Sequence, residues 1–126
     1  MEHDSRTRKA LLAAGGVIGM AGVMAAAASS HLGDSRNLAA VATIGLAHGP
    51  VLLALALAGR GRILAIAGVL LAVGTLLFAG DLAAREWLGH GLFAGAAPMG
   101  GVAMICGWLA VIIAAAAWTR PGQIEK

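Results

Sequence analysis

Four apolar stretches, each about long enough to cross a bilayer, occupy residues 10–30, 37–59, 63–84 and 98–118, and only short polar segments separate them. A hydrocarbon core is ~30 Å thick and a helix rises ~1.5 Å per residue, so each stretch is a sufficient span. Lipid offers no water to backbone N–H and C=O groups, which leaves helices or a closed barrel. The runs are continuous and rich in Ala, Leu and Gly rather than alternating, so helices are expected. Water is the wrong solvent for the alternative of a soluble domain: 60% of the 126 residues are hydrophobic and 12% charged, too little polar surface to cover it. The fold class is therefore all-α, an integral membrane four-helix bundle forming one domain over residues 1–126. Connections at 31–36, 60–62 and 85–97 are short enough to make sequential helices antiparallel neighbours, an up-down-up-down arrangement.

Charge sets the expected orientation. Arg6, Arg8, Lys9, Arg60, Arg62, Arg120 and Lys126 fall on one side, seven of nine basic residues, against Arg36 and Arg85 on the other. Lys and Arg are retained inside the cell, so both termini and the 60–62 loop should face the cytoplasm, and the protein should be a multi-pass protein of the inner (cytoplasmic) membrane. A rival reading makes the first span a cleaved signal peptide, with Arg8-Lys9 ahead of an apolar run ending in small residues. Signal cores are usually ~7–15 residues, shorter than this run, which favours retention as a helix. The tail at 119–126 has no apolar period and should fray.

Composition also excludes. The single cysteine, Cys106, rules out an intramolecular disulfide and a Cys-based zinc or iron–sulfur site within one chain. The net charge of +3 is spread in ones and twos beside helices and forms no basic stripe, so no nucleic-acid partner is expected.

Between helices in lipid, association depends on close backbone approach. Gly15, Gly19 and Gly22, with Ala26, recur at helical spacing on the first span, and Gly45-x-x-x-Gly49 marks the second. Packing within the bundle is favoured over a dedicated dimer face, because four helices already give each stripe a partner. Gly33, Gly59 and Gly61 mark joints, and Pro98 suits the first turn of the last helix, where its missing N–H removes no helical bond.

The stretch Gly74-Thr75-Leu76-Leu77-Phe78-Ala79-Gly80-Asp81-Leu82, then Ala97-Pro98-Met99-Gly100-Gly101 and Gly107-Trp108-Leu109, resembles the small four-helix inner-membrane family catalogued as domain of unknown function four-two-three. There the third helix ends in Phe-x-Gly-Ser-Leu, and the fourth opens with Pro-x-Gly-Gly and carries a Gly-Trp pair. More loosely, Ser30-His31 and the mid-helix His48 resemble the family's first half. Two departures stand out: Asp81 replaces the usual Ser, and Ala47-His48-Gly49-Pro50 lacks the usual preceding aromatic residue. The resemblance implies a four-helix membrane protein with no assigned activity.

Among polar residues His48 is the most informative, about eleven residues into its span and so near the bilayer midplane. An ionisable group at that depth must face protein, water or a ligand. Thr75, Cys106 and Trp108 lie at similar depth, and the indole N–H, the threonine hydroxyl or a backbone carbonyl would satisfy an imidazole. Pro50 removes the N–H that would bond to the Leu46 carbonyl, freeing an acceptor and kinking the helix. The reading favoured is a buried His joining helices; the minority reading makes His48 a cofactor-binding, quinone-binding or proton-relay residue. Bis-histidine haem ligation needs a second His at that depth, and His31, His90 and His3 lie near the surfaces, so no cofactor is expected.

At the outer face gather His31, Asp34, Arg36, Asp81, Arg85, Glu86 and His90. Asp81 and Arg85 have the spacing of an ion pair. A solvated rim is preferred to a metal site of His31, His90 and Asp81, which come from separate segments without a recognisable ligand spacing. Trp87 and Trp118 read as interfacial belt residues, and 88–93 as a candidate short surface helix that Gly89 and Gly91 disfavour. Ser29 and Ser30 adjoin His31 without a positioned acid. No nucleophile–base pair, catalytic carboxylate pair or phosphate loop appears, so the chain is not expected to be an enzyme. The leading expectation is a non-enzymatic structural or accessory component of a larger membrane assembly, in contact with the lipid bilayer. The alternative is a small-solute, ion or proton transporter or channel using His48, as a homo-oligomer.

Overall fold

A computed structural model describes residues 2–118, which form four α-helices and, among the described residues, no strand. They are α1 (Glu2–His31), α2 (Arg36–Ala58), α3 (Arg62–Leu88) and α4 (Ala96–Ala116). All four are long and apolar enough to cross a membrane, which makes this a multi-pass membrane protein. Arg120, Lys126 and the tail at 119–126 lie outside the described residues.

Two helices run past their apolar cores. α1 starts at Glu2 rather than near residue 10, carried by ion pairs one turn apart: Arg6 to Glu2 at 3.0 Å and Arg8 to Asp4 at 3.7 Å. Each exposed pair is worth only ~0.2–0.5 kcal/mol, enough to extend a helix already nucleated by a buried span. α3 continues through Arg85 and Glu86 to Leu88, and Gly89, in the left-handed region at φ 76°, ends it. The segment 88–93 is accordingly no surface helix: Leu88 is the last turn of α3, and an irregular link runs on from there to Gly95. α2 continues through Pro50 without a break.

The helices make two tight pairs joined by a looser seam. In the first pair, an added Cβ on Gly22 would stand 2.9 Å from the Leu46 N and one on Gly45 3.0 Å from the Gly22 Cα. Towards the other end of the same pair, a Cβ on Gly15 would lie 3.1 Å from the Gly49 carbonyl oxygen and one on Gly49 3.0 Å from the Gly19 Cα. The glycines of α1 and α2 are thus each other's partners, although Gly19 itself has open space where its Cβ would be. The second pair, α3 and α4, closes on Gly74, Gly100 and Gly107: a Cβ on Gly100 would lie 2.7 Å from the Gly74 carbonyl oxygen and from the Phe78 N. Hydrogen-bond-scale approach of this kind maximises dispersion between backbones where lipid supplies no hydrophobic drive.

α2 and α3 hold the centre, and α4 is an edge helix. Among the described residues no Cα of α4 lies within 8 Å of one in α1 or α2. The core runs through Leu11, Ile18, Leu52, Leu71 and Met104. Leu11 closes α1 on α3 at Gly68, where an added Cβ would sit 2.7 Å from its Cδ1. The outward side of α4 carries Val102, Ile105, Leu109 and Ile112, all exposed to the hydrocarbon.

Candidate functional site

Two buried polar side chains, His48 and Thr75, lie at mid-span, and each pairs with a residue of α4. His48, on α2, is 6% exposed. The Trp108 indole, from α4, donates its Nε1–H to His48 Nε2 at 3.1 Å. An indole nitrogen can only donate, so Nε2 is the acceptor and the proton sits on Nδ1. Nδ1–H in turn donates to the Ile44 carbonyl one turn back, at 2.9 Å. That acceptor belongs to the helix's own ladder; the Leu46 carbonyl released by Pro50 is not the one used. The rings lie 5.9 Å apart, centroid to centroid, inclined at 59°. Both imidazole nitrogens are therefore engaged, and the bond crosses between two helices whose backbones stay beyond 8 Å.

Thr75 goes elsewhere. Fully buried on α3, it donates its hydroxyl to the Met104 Sδ on α4 at 3.4 Å, so the hydroxyl serves the α3–α4 pair rather than His48. Cys106 is exposed on α4. Depth alone brings His48, Thr75, Cys106 and Trp108 together; the rotation of each helix then selects Trp108.

At the end where α1 and α3 finish, carboxylates act as clasps. Asp81 is 0% exposed and accepts from the Arg85 Nε at 2.9 Å through Oδ2 and from the Leu92 backbone N–H at 2.7 Å through Oδ1. The ion pair expected from the spacing is present, and the same carboxylate also holds the link between α3 and α4 against the end of α3. Gly91 makes room, since a Cβ there would stand 2.6 Å from Asp81 Oδ1 and 2.8 Å from the Arg85 Nη2. Glu86 Oε2 accepts from the Ser35 hydroxyl at 2.7 Å and the Asn37 Nδ2 at 3.1 Å. Ser35 is also the N-cap of α2, its oxygen accepting from the Leu38 N–H at 3.2 Å. Sequence reasoning missed Ser35 and Asn37; a Ser three residues ahead of Leu38, at the start of an apolar run, is the capping signal that finds the first of them.

Asp34 and Arg36 line one surface depression with Ser35, Asn37 and Glu86, whereas His31 and His90 lie apart from it. His31 is exposed at the end of α1, and His90 is exposed with its Nδ1 against the Gly91 carbonyl oxygen at 3.0 Å. Among the described residues no three His, Cys, Asp or Glu side chains come together as a metal set. Ser29 and Ser30 both donate to the Ala26 carbonyl, at 2.9 and 3.1 Å, the usual way a hydroxyl inside a helix is satisfied. At the opposite end Arg8 donates to the Gly59 carbonyl at 3.2 Å and ties α1 to the end of α2. No buried side-chain nitrogen or oxygen among the described residues lacks a partner.

The His48–Trp108 bond should behave as interhelical glue. His48→Leu and Trp108→Phe should each lower thermal stability in detergent, with a coupling of about 1 kcal/mol in the double-mutant cycle. Additive losses in that cycle would show that the bond contributes nothing.

A family model described as "Protein of unknown function (DUF423)" matches residues 24–101. The match takes in His48, Thr75, Asp81, Glu86 and Gly100 and stops short of Trp108. Neither the curated proteins nor the solved structures yield a match.

Proposed function

The chain belongs to the DUF423 family, and on that footing we propose that it is a non-enzymatic structural or accessory component of a larger assembly in the inner (cytoplasmic) membrane. The observation that carries this reading is the engagement of both His48 nitrogens inside the protein. A solute or proton path needs several inward-facing polar groups free to exchange partners. Here the midplane polar groups are spent on holding helices, which weighs for the accessory role over a transporter built on His48. Both termini and the 60–62 loop face the cytoplasm in this reading, following the distribution of Lys and Arg.

α4 is the edge offered to a partner. Only α3 packs backbone to backbone against it among the described residues, and its outward side is a continuous apolar surface. Cys106 lies exposed on this helix and is the only cysteine of the chain, so it serves as a built-in probe. A photo-crosslinker attached to Cys106 in native membranes, followed by purification in mild detergent, should capture a stoichiometric partner on α4. Recovery of the isolated chain alone, active in a proteoliposome flux assay that His48→Asn abolishes, would replace this reading with the transporter.

A further inference from the structure

We propose that the crevice between α1 and α3 holds one acyl chain of a membrane phospholipid as a resident ligand, from the leaflet at the end where those helices finish. The inference needs only the membrane setting and stands apart from the accessory role.

The crevice comes from side-chain size. Leu11 meets α3 at Gly68, but beyond Ile18 the crevice is lined by Ala21 and Ala25 on α1 and Ala79 and Ala83 on α3, together with the more exposed Met24 and Leu76, with α2 as the floor. Alanine on both walls leaves a cavity of about 420 Å3, running along α3 from Thr75 to Trp87. Thr75 closes its deep end near the middle of the span, and its hydroxyl is already donated to Met104. What the cavity offers is hydrocarbon surface.

Its dimensions select the occupant. The twelve steps along α3 from Thr75 to Trp87, at ~1.5 Å each, make a length of roughly 18 Å, close to half of a ~30 Å hydrocarbon core. A stable protein interface requires about 800 Å2 per partner, far more than the lining of this crevice provides, whereas a single acyl chain lies within it. A void of this size beside fluid lipid does not stay empty, because its lining would forgo dispersion contacts that a chain restores. Trp87, exposed at the rim, stands at interfacial depth, where an indole N–H can donate to a lipid ester or phosphate oxygen.

Bulk lipid contact and a resident chain differ in where a reactive chain reports. Wild-type protein in nanodiscs is illuminated in the presence of phosphatidylcholine carrying a diazirine along one acyl chain, and the labelled residues are mapped by mass spectrometry. A resident chain should label Ala21, Ala79 and Ala83 about tenfold more than the fully lipid-facing Ile105 and Ile112, against their lower exposure. Ala83→Phe, which fills the slot, should remove that excess, and native mass spectrometry should lose the one lipid retained by the wild type. Labelling that simply follows exposure would overturn the proposal, and so would a second protein chain, rather than a lipid, crosslinked at these positions. The labelling pattern of the unaltered protein decides the matter even if the filled variant does not fold.

Discussion

Gly100→Ala should be among the most damaging single changes in the protein, and the same change one residue later should be harmless. A Cβ on Gly100 would lie 2.7 Å from the Gly74 carbonyl oxygen and 3.0 Å from the Phe78 Cα, and these are backbone atoms that no rotamer change can move. Relief requires α4 to back away from α3, which stretches the Thr75–Met104 contact and withdraws Trp108 from His48. At Gly101 an added Cβ meets nothing within 4 Å, and alanine gains up to ~1 kcal/mol in helix propensity. We expect Gly100→Ala to cost about 2–3 kcal/mol in detergent unfolding and Gly101→Ala to be neutral or stabilising. Equal stability of the two variants would mean that the α3–α4 seam is not limited by backbone contact.

Removing the carboxylate of Asp81 should free the link between α3 and α4. Asp81→Leu deletes the acceptor of the Leu92 N–H and leaves Arg85 without its ion partner, while Asp81→Asn keeps an oxygen that can accept from Leu92. Hydrogen bonds to charged groups are the stronger kind, so amide exchange at Leu92 should accelerate on the order of tenfold to a hundredfold in Asp81→Leu and by less in Asp81→Asn. Exchange at Leu71, in the middle of α3, should hardly change. If Leu92 exchanges at the same rate in all three proteins, the carboxylate is not what holds the link.

The contrast between the carboxylates and the spans shows what a sequence of this kind makes legible. Hydropathy located every helix to within a turn on its apolar sides, because lipid penalises each unsatisfied backbone group and leaves few alternatives. The polar extensions at Glu2 and Leu88 were not legible, since they depend on side-chain pairs and not on apolar length. His48 was identifiable by depth alone, and so was a short list of partners. Choosing Trp108 over Thr75 required the rotation of α4, which near-uniformly apolar helices do not encode in any periodic pattern. Asp81 and Arg85 read correctly as a pair one turn apart. The Leu92 N–H that completes the arrangement comes from an irregular seven-residue link at 89–95, whose path is set by Gly89, Gly91 and Gly95 together. Glu86 read as part of a solvated rim, and its bonds to Ser35 and Asn37 depend on where α2 begins relative to the end of α3.

The two glycine seams also imply an order of events while the chain is being made. Each seam lies wholly within a consecutive helix pair, so the first hairpin has its complete interface before the third helix leaves the ribosome, and the second pair can zip on its own afterwards. Only the bond from Trp108 to His48 reaches back across that divide without backbone contact to help it. Until α4 is inserted, the histidine Nε2 stands in oil with no donor. Delivery of that indole is the step that completes the protein.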